Sequence, residues 1–309
     1  MSVKVGLNFM GSDVRLGPRF ERVLELAREA DLRGIDMLSF PDHLAIGRKA
    51  FDEPLHFGEP FPFPRQMAWY EPITALAAIA AVTRRARLSV NILIAPLRSA
   101  LLLAKQLATL DVISGGRVSV GMAGGWHDAE FAASGIPLKG RFGLLEEQIS
   151  ACRALWSGGA ATFHGERISF DELYAMPLPV QGARLPIYLG LPATGRHVDR
   201  IARLADGWSW GYVDDPPQIA AGVGAIREAM AVHGRVVEHF EVKAFPRPIR
   251  GVDGKIDLEA TFGRVPALLA AGVTIIEPNL YDYCDTEDDI PRLIEQLLAL
   301  KAAYGAAAT

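Results

Sequence analysis

The 309-residue chain holds only two cysteines, Cys152 and Cys284, and no C-x-x-C pair. A disulfide framework and a cysteine-based zinc or redox centre are therefore excluded as organising devices. Long apolar runs are equally scarce. The longest, residues 73–82, is 10 residues, where a membrane-spanning helix needs about 20. The N-terminus shows no basic stretch leading into an apolar one, so no membrane association is expected and the chain reads as cytoplasmic. Positive charge is not in surplus either: Lys+Arg 32 against Asp+Glu 36 gives a formal net charge of −4. With nothing more basic than Arg84, Arg85 and Arg87 together, nucleic acid is not an expected partner.

What is present is a regular alternation of short β-rich apolar runs with segments of helical period, the pattern of a parallel sheet joined by crossover helices. Strands are expected at residues 3–9, 36–41, 87–95, 117–123, 186–190, 207–213, 238–245 and 273–278. Helices follow each of them. Gly17-Pro18 opens the first and Gly34 closes it, Ser99 begins the third, and Leu145, Ile149, Cys152 and Trp156 share one face of the fourth, which makes Cys152 a core residue. Leu258, Phe262, Val265 and Leu269 read as one helix, and Asp285 to Asp289 with Pro291 start the last. Eight such pairs without a break in composition predict a single (β/α)8 barrel domain, with insertions after strand two and, as a hairpin at 160–170, before strand five. An open doubly wound sheet is the second choice. The tail after Tyr304 reads as unstructured.

In a barrel of this kind the chemistry sits where strands end at their C-termini. Asp42-His43 follows strand two there, with His43 as the candidate acid/base and Asp42 as its orienting or ligand-binding neighbour. Gly121 to Trp126 ends strand four and exposes backbone N–H groups, and Gly190 to Gly195 follows strand five, its amides and Thr194 forming a candidate anion cradle at a helix start. Ser209 lies in a G-x-S-x-G pattern with Asp214, His233 and His239 downstream, a rival hydrolase signature weakened by its position inside a strand. His127 and Glu130 have metal-ligand spacing but no second cluster, and read better as a solvated first helical turn. His56, Phe57, Phe61, Phe63, Trp69 and Tyr70 form an aromatic loop, either a lid over the site or half of a subunit interface.

The run from Ala104 through Asp111, Gly115-Gly116-Arg117, Gly121, Gly124-Gly125-Trp126, Glu130-Phe131, Gly135-Ile136-Pro137 and Arg141 resembles the bacterial luciferase-like flavin and deazaflavin oxidoreductases. Pro41-Asp42-His43, Glu71-Pro72, Asn91 to Pro96, Leu155-Trp156 and Ala205 to Trp208 extend the likeness to about residue 210, and beyond that only the architecture matches. The resemblance implies a (β/α)8 barrel with a redox ring at the strand C-terminal rim. The tryptophan-bearing strand-four motif is most similar to the branch using coenzyme F420, with FMN as the alternative cofactor. Carried onto this chain, the resemblance puts His43 and Asp42 near the ring and makes Asn91-Ile92 a non-prolyl cis peptide against its face. Ala123, Gly124 and Trp126 would line the cofactor site, and Gly190, Leu191, Ala193 and Thr194 would hold its phosphate. Trp126 stands where sugar-phosphate dehydrogenases of the family carry glutamate, which points to an apolar or aromatic small-molecule substrate. The expected activity is hydride exchange between F420 and such a substrate, with FMN-dependent monooxygenation as the alternative. A serine hydrolase and a non-catalytic cofactor binder are the remaining readings, and a homodimer is the expected assembly.

Overall fold

The computed structural model describes residues 3–55, 58–212, 215–236 and 239–305, without the side chains of Trp210 and Tyr212. His56, Phe57, Asp214, the predicted ends of strands six and seven at Val213 and Glu238, and most of the C-terminal tail lie outside the described residues. Eight parallel strands close a barrel: β1 (Lys4–Asn8), β2 (Met37–Phe40), β3 (Arg87–Ile94), β4 (Val118–Ala123), β5 (Ile187–Leu189), β6 (Gly207–Tyr212), β7 (Glu241–Phe245) and β8 (Ile275–Ile276). Lys4 pairs with Ile275 and Gly6 with Met37, so β1 is hydrogen-bonded on both sides and no edge is left open. The chain is a (β/α)8 barrel, and the open-sheet alternative is excluded by this closure.

The helices begin and end where the local chemistry requires. Gly34 takes φ 95° behind helix Phe20–Arg33, donating to Ala30 and Asp31 carbonyls in a conformation that costs a residue with Cβ more. Glu71 accepts from Thr74 N–H ahead of Pro72–Val82, and Ser99 does the same for Leu102 at the start of Ala100–Ser114. The hairpin before β5 pairs Ala161–His164 with Ser169–Leu173. One reading needs correction: Leu258–Phe262 and Val265–Ala270 are two short helices, interrupted at Gly263-Arg264, with Pro266 in the first turn of the second. Proline fits there because that N–H has no intrahelical acceptor. Short helices Ser12–Leu16 and Arg48–Asp52 on the strand-end loops were not foreseen, each being about one and a half turns and too short to show a helical period, whereas Asp128–Ala133 begins at the helical turn expected from His127.

The barrel interior is not uniformly apolar. At the strand N-termini, Glu241 accepts from Lys4 Nζ at 2.6 Å, from Arg87 at 2.9 Å and from the Tyr188 hydroxyl. Deeper in, Lys243 and Glu277 are 1% and 0% exposed and their charged atoms are 3.5 Å apart. Gly207 lets β5, β6 and β7 approach at this level: a Cβ there would meet the Tyr188 ring at 2.2 Å and the Glu241 carbonyl oxygen at 2.6 Å. The carbonyl is backbone and cannot swing away. Gly207→Ala should therefore lower the unfolding free energy by about 1–3 kcal/mol or more, measured by urea denaturation; an unchanged midpoint would refute this account of the packing.

Candidate functional site

Four strand ends converge at the barrel mouth. Asp42 and His43 follow β2, the turn Gly124 to Trp126 follows β4, and Gly190 to Pro192 follow β5, all lining one cavity of about 470 Å³. Between them β3 bulges, its register with β4 shifting between Val90 and Leu93, and the Asn91–Ile92 peptide within the bulge is cis. Ile92 lines the cavity and also an adjoining hollow of about 290 Å³ floored by Asn91 and Ser209. Cβ-less positions shape both: a Cβ on Gly190 would meet Ile92 Cδ1 at 2.1 Å, and one on Gly124 would meet the Phe142 ring at 2.8 Å.

His43 is buried and sits among aromatic rings, edge-on to Trp69 at 4.9 Å, Trp126 at 5.6 Å and Phe61 at 5.7 Å between centroids. Its Nδ1 lies 3.1 Å from Glu130 Oε2, and no described residue bonds its Nε2. Glu130 Oε1 meanwhile accepts from the backbone N–H groups of Leu44 and Ala45. Burial pushes the Glu130 pKa up, yet the histidine and these two amides outweigh it and hold the carboxyl below its ordinary value. The expected solvated first turn is thus corrected: His127 and Glu130 are both buried. His127 Nε2 accepts from Gly47 N–H at 2.7 Å, and burial lowers its pKa, so its ring is neutral and structural.

Asp42 does not orient His43. Both its oxygens are engaged by Arg98, at 2.7 and 2.9 Å, and Oδ2 also accepts from Ile94 N–H at 2.9 Å. Burial disfavours the Arg98 charge, but Asp42 and then Glu71 reverse this and raise its pKa. The pair ties the β2 end to the β3 end. Trp126 serves as wall rather than as an isolated platform, tilted against Phe61 at 5.7 Å. The aromatic loop divides: Phe61, Phe63 and Trp69 face the cavity, whereas Tyr70 packs on Phe20 and Phe40 behind the barrel wall.

Of the remaining predicted positions, Asn91, Ile92, Ala123, Gly190 and Leu191 line the cavity or the hollow. Ala123 ends β4 half-buried, while Ala193 faces the helix that carries Gly222 and Thr194 is exposed to solvent. Arg141, Phe142 and His197 join the lining unforeseen, with the Arg141 guanidinium 4.3 Å from the Phe142 ring centroid. Ser209 is in mid-strand, and its hydroxyl donates to Asn91 Oδ1 at 2.9 Å. His233 is bonded to Asp199 on the surface. A nucleophile with a bonded base is therefore not assembled among the described residues, and the hydrolase reading falls.

Residues 5–251 match the family described as luciferase-like monooxygenase. The chain belongs to that family. The match runs past residue 210, so the likeness reaches beyond the motifs that carry it in the sequence. An uncharacterised protein of Mycobacterium tuberculosis is 36% identical over 183 residues, 59% of this chain and 64% of that protein. An FMNH(2)-dependent dimethylsulfone monooxygenase of Pseudomonas putida is 32% identical over 172 residues, 55% of this chain and 47% of the enzyme. These matches thus span less than two thirds of either relative's length. A solved F420-dependent secondary alcohol dehydrogenase, in complex with an F420-acetone adduct, superposes with a TM-score of 0.76 at 16% identity over 97% of this chain and 99% of its own. Proteins named for F420 and for FMNH(2) thus both stand among those this chain is similar to.

Because the Glu130 pKa is lowered in the folded chain, its carboxylate contributes stability that is fully present above its ordinary value of 4.5 and is lost as pH falls through the folded value. Glu130→Gln should cost about 1–3 kcal/mol at pH 7, with the gap from wild type closing below pH 4.5; urea unfolding at pH 7 and at pH 3.5 measures both. A gap of equal size at the two pH values would contradict the assignment.

Proposed function

We propose that this protein is an oxidoreductase that moves a hydride between coenzyme F420 and a small apolar or aromatic molecule, with His43 handling the accompanying proton. The observation that carries the reading is the cavity lined together by His43, Ile92 of the β3 bulge and the glycine turns after β4 and β5. The lining fits a flat ring. Gly190 and Gly124 let Ile92 and the Phe142 ring pack into the lining where a Cβ would displace them, and cavity and hollow together fall in the size range of cofactor sites. Asn91, Ile92, Ala123, Gly124, Trp126, Gly190 and Leu191 would hold the ring, with Ala193 and Thr194 toward its phosphate end and Asp42 acting through Arg98. F420 is preferred over FMN because the Gly124-Gly125-Trp126 turn resembles the deazaflavin branch.

When bound, the ring would give or take the hydride, and the protein supplies position and takes or gives the accompanying proton. Ionised Glu130 accepts from His43 Nδ1–H, which fixes the tautomer and leaves the Nε2 lone pair toward the cavity. In the oxidative direction Nε2 accepts a proton from the substrate hydroxyl, and Glu130 stabilises the imidazolium that results. In the reductive direction the same atom returns it. Phe61, Trp69 and Trp126 around the imidazole exclude water and offer apolar faces to a substrate without charge. Sequence identity of 32% to an FMNH(2)-dependent monooxygenase favours the second reading, in which reduced FMN and oxygen act in the same cavity.

Fluorescence titration with F420 and with FMN tests the first choice: tighter binding of F420 is expected, and preference for FMN overturns it. His43→Ala should lower turnover about 10²–10⁴-fold with cofactor affinity retained. Unchanged turnover would remove His43 from the proton path.

A further inference from the structure

The floor of the 290 Å³ hollow is wired to charges inside the barrel. Lys243 Nζ, wholly enclosed, lies 3.5 Å from Glu277 Oε2 and donates to Ser89 Oγ at 3.0 Å. Glu277 Oε2 faces that Nζ with a lone pair and so acts as an acceptor here. The Asn91 side-chain nitrogen, 2.6 Å from Glu277 Oε2, must therefore be the donor, since a flipped amide would press two lone-pair oxygens together at that distance. This turns Asn91 Oδ1 toward Ser209, 2.9 Å away, where it takes the hydroxyl proton. Serine has one such proton. Once it is committed inward, Ser209 Oγ can offer the hollow only a lone pair.

We propose that Ser209 is a specificity-determining acceptor, held in that polarity by Glu277 and Asn91 as positioning residues, so that the group seated in the hollow carries an N–H or O–H donor. The inference rests on the oxidoreductase reading for what that group is. Two sources have the required chemistry: the single N–H of the pyrimidinedione that F420 and FMN share, and a second hydroxyl on the substrate, since the reacting hydroxyl addresses His43. A bound group without a donor leaves the Ser209 lone pair buried and unmet, which makes the discrimination steep for one hydrogen bond.

The test compares wild type, Ser209→Ala and Glu277→Gln. Each is titrated with FMN and with FMN methylated at the pyrimidinedione nitrogen, then, saturated with F420 or FMN, with 1,4-cyclohexanediol and cyclohexanol. If the ring is the donor, wild type should prefer FMN over its methylated form by about tenfold more than Ser209→Ala does. If the substrate is the donor, the same tenfold difference should appear as a preference for 1,4-cyclohexanediol over cyclohexanol that Ser209→Ala lacks. Glu277→Gln should weaken whichever preference is seen, because glutamine can donate to Asn91 and let its amide turn. Ser209→Ala removes one oxygen and is the decisive variant if Glu277→Gln does not fold. Both preferences unchanged in Ser209→Ala would overturn the inference while leaving the oxidoreductase reading intact. Failure of wild type to bind either ring would instead overturn that reading, and this inference with it.

Discussion

Charge buried along the axis of the barrel is the constraint on which the remainder of this structure turns. Glu241 gathers Lys4, Arg87 and Tyr188 at the strand N-termini, Lys243 and Glu277 form the middle, and Asn91 with Ser209 cap the column at the mouth. Taking such charges out of water costs several kcal/mol per ion, and only good partners recover it. Burial accordingly lowers the Lys243 pKa, with Glu277 opposing the effect. A core of branched aliphatic side chains would be cheaper to enclose, but it would leave the mouth without a defined hydrogen-bond polarity.

The same economy appears one layer out, at the rim. Asp42 and Arg98 spend their charges on each other, and the fork they form joins the ends of β2 and β3. Glu130 spends its charge on His43 and on the backbone of Leu44 and Ala45, so the loop after β2 is fastened to the helix after β4 by the same carboxylate that addresses the imidazole. Structural fastening and chemical tuning are here one interaction. The aromatic insertion then packs around a site where Asp42, Arg98 and Glu130 are already paired, which is why its walls can be apolar without stranding a charge.

Much of this was readable in the chain. The strands were placed within a few residues, because period-two and helical apolar patterns are local and the residues that punctuate them act within a turn, Gly34 and Gly115 through their backbone and Ser99 through its hydroxyl. His43, Gly124, Trp126 and Gly190 could be named for the cavity because the barrel fixes where strand ends lie, and Ile92 because the family resemblance implied it. Glu130 was visible only as half of a spacing with His127, since 87 residues separate it from His43 and no local pattern records their contact. Glu277 and Lys243 gave no signal at all: a single charged residue in a short apolar strand reads the same whether it faces solvent or the axis.

The sequence by itself determined the barrel, its family and the strand ends where chemistry would gather, because each of these follows from periodicity and short motifs. Tertiary structure alone decided who pairs with whom: that Asp42 belongs to Arg98, Glu130 to His43, and Asn91 to both Glu277 and Ser209. Hydrogen bonds and ion pairs act over about 3 Å, and only closure of the barrel brings residues so far apart in the chain within that reach.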